Sequence, residues 1–377
     1  MVNRARVAIV LHPNQDARRW RKRFESGLSL DRTPYGYDRA EQYFDLAWSR
    51  TSKDDRLRQN LRRWSTRWLG CDVLHAWQNR ALIRGADVVW THTEREHLAV
   101  AWLQLLTPRK RRVPVVAKSV WLWDRWPEYG PVLRWLNGRL LRTHAVELVH
   151  SPVNYDDSVT AVPGRRVELI PFGSAAAVVG DTALAPEPPE AGQRPLVLAV
   201  GNDADRDWEL LATVAGLVPE ADFRIASPSR AARAVTWPEN AILQASKSAE
   251  ELRQLYHTAE VIVLPLRPNR HISGATVCIE ALAAGRRIVA NAAGGIEYLL
   301  GDDGRTVAPG DATGFADAVR AGIRGEFPAP SPDAYVSRGL TQADYVGRFV
   351  LVTRALLGTG EWCPEISAFA PVGVFEA

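Results

Sequence analysis

Cysteine is scarce in this chain of 377 residues, and its three copies, Cys71, Cys278 and Cys363, are odd in number and far apart. No Cys-x-x-Cys spacing occurs, which excludes a disulfide framework and a structural zinc site; the expected compartment is reducing cytosol. Long apolar runs are missing as well. No segment approaches the roughly 20 residues that span a bilayer, and the run Val7 to Leu11 is followed at once by Pro13 and a cluster of arginines, which does not fit a secretory signal. Short-period repeats and low-complexity tracts are also absent. What is present is a chain with 46% hydrophobic residues, long enough to bury two cores.

A net charge of +4 conceals a strong asymmetry. Residues 1–175 hold 30 lysines and arginines against 18 acids, a balance of +12, while the remainder holds 17 against 25, a balance of −8. Tryptophan divides the same way, with 11 of its 14 copies in the first half. A basic, tryptophan-rich half suits an anionic lipid surface or an anionic acceptor.

The chain divides at a Pro/Ala/Glu-rich stretch, Ala183 to Pro195, which reads as a linker. Before it, short apolar runs alternate with helical patterns: Val7 to Leu11, Cys71 to Leu74, Val88 to Trp90, Val113 to Ala117, Val146 to His150 and Val167 to Ile170. After it the pattern restarts with Leu196 to Val200, Asp222 to Ala226, Ala241 to Leu243, Val261 to Leu266, Arg287 to Ala290 and Arg305 to Val307. Strands spaced by helices imply parallel sheets with crossovers. The expected fold class is α/β, with two doubly wound Rossmann-like domains facing across a cleft. The first domain is expected over 1–178 and the second over 196–338, joined by a linker over 179–195. Residues 339–377 would form a closing helix, Thr341 to Leu357, that returns to the first domain, and a tail.

The densest motif runs from His271 to Leu300. A strand, a turn containing Gly274, a helix ending at Gly285 and a second strand make a βαβ unit whose helix N-terminus can hold a phosphate. Glu280 is a carboxylate in an otherwise apolar run from Ala275 to Ala284, placed to accept hydrogen bonds from ribose hydroxyls.

The segment Ser273-Gly274-Ala275-Thr276-Val277-Cys278-Ile279-Glu280-Ala281-Leu282-Ala283-Ala284-Gly285, with Arg287 to Ala290 and Gly294-Gly295-Ile296-Glu297 after it, resembles the donor-site signature of retaining GT-B-fold glycosyltransferases of the group-1 type. Ser248 to Leu252, Val200-Gly201-Asn202-Asp203 with Arg206-Asp207-Trp208, and Leu169 to Gly173 extend the likeness over most of residues 146–325. The resemblance implies a nucleoside-diphosphate sugar as donor substrate and no further cofactor. It assigns the diphosphate to Arg206, the ribose to Glu280, and the phosphate loop to Ser273, Gly274, Ala275 and Thr276 together with Gly201 and Asn202. A guanidinium suits the diphosphate because it chelates two oxygens. The group commonly has a glutamate eight residues before Glu280, where this chain has Ile272; His271 is the nearest polar group able to meet sugar hydroxyls, or else it orders the phosphate loop through the backbone.

On the acceptor side, Tyr35, Gly36 and Tyr37 lie in a stretch spaced for a tight turn, with two rings able to stack on a sugar. His92 follows a strand and is a candidate to touch the transferred sugar; helix capping by Thr91 or Thr93 explains the same segment without catalysis. The expected catalytic set is therefore Arg206, His92 and His271, with no nucleophile or general base, since such enzymes are thought to let the leaving phosphate take the acceptor proton.

Asp203-Ala204-Asp205 has Asp-x-Asp metal spacing, but its place upstream of Arg206 fits the GT-B layout, so no metal is expected. Arginines 62, 63 and 67 with Leu61, Trp64 and Trp68 could form an amphipathic helix on an anionic bilayer, as a peripheral protein with a lipid-linked acceptor would need; the alternative buries the tryptophans beneath a solvated arginine face. No nucleic-acid-reading motif occurs. Two other classes stay open: a sugar-nucleotide epimerase of the same fold, and a basic binding protein that keeps the fold without activity.

Overall fold

The computed structural model describes residues 4–27, 29, 31–51, 55–175, 193–244, 248–331 and 333–375. The chain divides into two compact units, one of residues 1–171 with 342–377 and the other of residues 172–341. The linker expected over 179–195 lies, up to residue 192, outside the described residues.

Each unit is built on a six-stranded sheet. In the first, β1 (Arg6–Val10), β2 (Asp45–Trp48), β3 (Val88–Thr91), β4 (Val115–Lys118), β5 (Val146–Val149) and β6 (Val167–Leu169) lie in the order β2-β1-β3-β4-β5-β6. The second has β7 (Leu196–Val200), β8 (Asp222–Ala226), β9 (Ala241–Leu243), β10 (Val261–Leu264), β11 (Arg287–Asn291) and β12 (Arg305–Val307) in the order β12-β11-β10-β7-β8-β9. All pairings in both sheets are parallel. Parallel strands are covered by helices on both faces, which explains why β3, β5 and β10 are buried along their whole length. Helix starts are marked chemically: Asp16, Asp55, Asp72, Ser151, Asp207, Ser248 and Asp311 each accept a first-turn N–H, and Thr93 with Glu96 forms a capping box.

One expectation is corrected. Cys71 to Leu74 is not a strand: Gly70 ends the preceding helix in the left-handed region, and Asp72 caps a new helix, Val73–Gln78. The strand that belongs in its place, β2, is the half-buried edge segment Asp-Leu-Ala-Trp, which has no β-branched residue to mark it.

The last helix, Gln342–Leu356, is part of the first unit. Its Phe349 ring packs edge-on against Trp90 and Tyr37, both at 5.2 Å, and Thr353 Oγ1 accepts from the Trp90 indole at 2.8 Å. The interior of the first unit holds a polar network around one carboxylate. Glu147, on β5, is wholly buried; it accepts from Ser158 Oγ at 2.7 Å, Trp123 Nε1 at 3.0 Å and Ser119 Oγ, and pairs with Arg165 at 2.6 Å. One carboxylate thus joins β4, β5 and two helices. Among the described residues no helix is long and apolar enough to cross a membrane.

A buried charge whose partner is removed is strongly destabilising. Glu147→Gln leaves Arg165 buried without its counter-charge and is expected to lower the unfolding free energy of the first unit by about 3–5 kcal/mol. Urea unfolding followed by tryptophan fluorescence measures this, and a loss below about 1 kcal/mol would assign the network a minor role.

Candidate functional site

In both sheets the chain order reverses beside the first strand: between β1 and β3 in the first unit, and between β7 and β10 in the second. Loops leaving the carboxyl ends of strands at such a reversal spread apart and leave a crevice, where open α/β sheets bind their ligands. In the second unit those loops carry Gly201 to Asp207 after β7 and Pro265 to Gly274 after β10.

Arg206 joins them. Its backbone bridges to Leu266, and its side chain, 3% exposed, donates from Nε to the Val200 carbonyl at 3.4 Å and from Nη1 to Ser273 Oγ at 3.1 Å. Ser273 Oγ in turn donates to Asp203 Oδ2 at 2.8 Å. The guanidinium lies against two glycines. Gly201 (φ +139°) has room for no side chain, since a Cβ there would sit 2.8 Å from Arg206 Nε; Gly274 (φ +88°) would bring a Cβ to 3.0 Å from Leu264 and 3.3 Å from Arg206. Arg206 is therefore not the surface arginine that pairing with Asp203 or Asp207 alone would have made it.

Gly274 begins the helix Ala275–Ala283, and no side chain caps it. An uncapped N-terminus offers first-turn N–H groups and the positive end of the helix dipole to an anion. Ala275 is buried and Thr276, already inside the helix, is exposed; Asn202 is exposed beside Gly201. Glu280 sits in the second turn of this helix. Tyr256, fully buried, donates its hydroxyl to Glu280 Oε2 at 2.6 Å. Burial pushes the Glu280 carboxyl up to about 7, opposed by that hydrogen bond.

His271, 6% exposed, lies with Nε2 3.4 Å from Asp205 Oδ2 and 3.7 Å from Asp203 Oδ2. The neighbouring His271 imidazole is the leading cause that holds the Asp203 carboxyl well below the usual range, with the hydrogen bond from Ser273 adding to it. One ligating atom from each of Asp203, Asp205 and His271 falls within 4.8 Å of the others, so these three are the described residues that could converge on a metal ion. Ile272 stands between His271 and Ser273 where the group-1 pattern has a carboxylate.

The first unit gathers a different set at its own reversal. His92, just past β3 and 4% exposed, has Nδ1 2.9 Å from Tyr37 Oη and Nε2 2.9 Å from Lys118 Nζ, with the Tyr35 ring stacked on it at an interplanar angle of 12°. Burial, followed by Lys118 and His150, pushes the His92 pKa well down. Lys118 is itself lowered by burial, against the pull of Glu94 and Glu96. Both ring nitrogens are thus engaged inside the unit, so the sugar contact expected of His92 has no nitrogen to make it. Thr93 does cap the following helix, so the capping reading of this segment holds.

Tyr37 also departs from expectation. It is 0% exposed, enclosed by Trp90, Tyr345 and Phe349, and has no face left to stack on a sugar. Gly36 lies against the Gln342 side chain, where a Cβ would overlap. Tyr35 is the one described non-glycine residue with positive φ, at +60°, a conformation that L-residues adopt under constraint; its hydroxyl accepts from Gln15 in the loop after β1.

Residues 192–324 match the family described as glycosyl transferases group 1. This part of the chain is similar to a group 1 glycosyltransferase domain. Solved structures extend the likeness to the whole chain at the level of fold. Sucrose-phosphate synthase from Thermosynechococcus elongatus is 14% identical, with 96% of each chain covered and a TM-score of 0.59. A glycosyltransferase from Rickettsia africae is 11% identical over 94% of this chain and 99% of its own, with a TM-score of 0.62. HepE of Anabaena, solved with UDP and glucose, is 12% identical over 94% and 97%, with a TM-score of 0.57. The fold is GT-B. No curated protein sequence matches the chain.

Lys118 and Tyr256 escaped the sequence reading. Lys118 has a local signal, a lysine closing the apolar strand Val-Val-Ala-Lys, whereas Tyr256 meets Glu280 across 24 positions and has none.

The raised Glu280 pKa makes a signed prediction. A carboxyl at about 7 in the folded chain, against an ordinary value of 4.5, contributes stability that is fully present below 4.5 and lost as pH rises through 7. Glu280→Gln removes that loss. The variant should match the parent near pH 4 and exceed it near pH 8, by up to about 3 kcal/mol, as read from thermal unfolding at the two pH values. A difference independent of pH would show that Glu280 ionises as in water.

Proposed function

We propose that the chain is a retaining, metal-independent glycosyltransferase that moves a sugar from a nucleoside-diphosphate sugar to a hydroxyl acceptor. The acceptor class is a glycolipid, a lipid-linked or polysaccharide precursor, or a natural product, and the place of work is the cytoplasm or the cytoplasmic face of a membrane. The observation that carries this reading is the buried Arg206, tied to Ser273 at the uncapped N-terminus of Ala275–Ala283, with Glu280 held by Tyr256 further along the same helix.

That arrangement meets the demands of the reaction. Breaking the bond from the anomeric carbon to the phosphate leaves a growing negative charge on the diphosphate, which the guanidinium and helix N–H groups stabilise in a site already organised for it. The acceptor oxygen bonds to the anomeric carbon, and its proton passes to the departing phosphate oxygen, so no protein base is required. Glu280 accepts from the ribose hydroxyls. The bound UDP reported for HepE supports trying uridine donors first.

Donor binding raises apparent stability by mass action. A thermal-shift panel of UDP-, GDP- and dTDP-sugars is expected to show a rise with one base class, and no response to any of them would defeat the reading. Arg206→Lys keeps a cation but loses the planar fork, and should lower kcat by about 10²-fold; unchanged turnover would remove Arg206 from the diphosphate. In excess chelator, turnover should equal that in added magnesium or manganese. A loss beyond about tenfold that either ion restores would instead make Asp203, Asp205 and His271 a metal site.

A further inference from the structure

The helix Arg56–Leu69 exposes what a helix usually hides. Leu57, Leu61, Trp64 and Trp68 are 69%, 50%, 57% and 62% exposed, although each is large and apolar. Their spacing of four, three and four residues stacks them in one stripe along the helix. The face that packs inward is a different one: Ser65 is buried, and Arg62 pairs with Asp72 at 2.8 Å. Of the two orientations open to this sequence, the tryptophans therefore point to solvent.

The stripe has a charged border of one sign. At 100° per residue, Arg56, Arg63 and Arg67 follow one margin and Arg58 the other, and the helix contains no acid. Arg58 faces Asp55 at 3.9 Å, whereas among the described residues no ion pair involves Arg56, Arg63 or Arg67. On the neighbouring helix Val73–Gln78, Trp77 is 47% exposed, one position before the Gln78 that accepts from Arg62.

From this geometry we infer that the helix is an interfacial docking element that lies flat on an anionic lipid bilayer. The leucines and tryptophans enter the headgroup boundary, and the arginines reach up to the phosphates on either side. Charge and apolarity together select this occupant. A second copy docking through the same face would set like-charged arginine margins against one another, and a nucleic acid offers nothing to Leu57 and Leu61. The inference rests on the proposed function only in locating the acceptor; its residues are all remote in sequence from Arg206 and Glu280.

The full-length protein is sedimented with phosphatidylcholine vesicles, with and without phosphatidylglycerol, while tryptophan emission is followed. Binding is expected to the anionic vesicles alone, with a blue shift, and to weaken as salt rises. Trp64→Ser with Trp68→Ser, both at exposed positions, should lower the apparent affinity about tenfold or more, and Arg63→Glu with Arg67→Glu should do the same. The far-UV spectrum and the thermal shift on adding UDP should not change in either variant. The inference fails if the parent chain stays in the supernatant with anionic vesicles at low salt, or if the serine variant pellets as well as the parent. It fails too if the parent forms a concentration-dependent dimer that the serine substitutions dissolve, with no vesicle binding. Vesicle binding without any response to UDP would count against the proposed function and leave this inference standing.

Discussion

Everything at the second unit's strand ends depends on one buried cation having somewhere to go. A guanidinium withdrawn from water needs acceptors around its plane and space for its width. Arg206 finds the acceptors in the Val200 carbonyl and Ser273 Oγ, and the space in the missing side chains of Gly201 and Gly274. Because the two glycines belong to loops from different strands, seating the arginine fixes one loop against the other. It thereby fixes the direction of the helix Ala275–Ala283 that begins at Gly274, and with it the position of Glu280 on the second turn.

Charge in the two units is handled by the same means at corresponding places. In the second, Arg206 is balanced by Asp203 through Ser273, and Glu280 is kept near neutrality by burial while Tyr256 orients it. In the first, Lys118 and His92 neutralise one another's need for partners within a shell of aromatic rings. The free basic charge of the chain is elsewhere, on exposed helices such as Arg56–Leu69.

Elements of the second unit were legible because composition and position agreed. Val261 to Leu264 is a β-branched run bounded by Glu260 and Pro265, and Glu280 interrupts an apolar helix, so each could be assigned from its neighbours alone. Legibility ended where a role depends on a partner distant in sequence. Tyr37 reads as a loop tyrosine until the helix Gln342–Leu356 closes over it. Trp64 and Trp68 alternate with arginines so evenly that either set could face inward, and the orientation is decided by Ser65 and by the Arg62–Asp72 pair. Cys71 to Leu74 misled because four residues of mixed apolar character are compatible with a strand, and only the capping by Asp72 makes them the start of a helix.

Ile272 marks where this site parts from the group-1 pattern, and its surroundings give the substitution a physical setting. The preceding residue, His271, is held between Asp203 and Asp205, two carboxylates supplied by the loop after β7. One of the two, Asp203, is kept ionised by the nearby His271 imidazole and by the hydrogen bond from Ser273. Ile272 adds no charge to this loop and leaves the Asp-x-Asp pair and His271 as its acidic and imidazole groups.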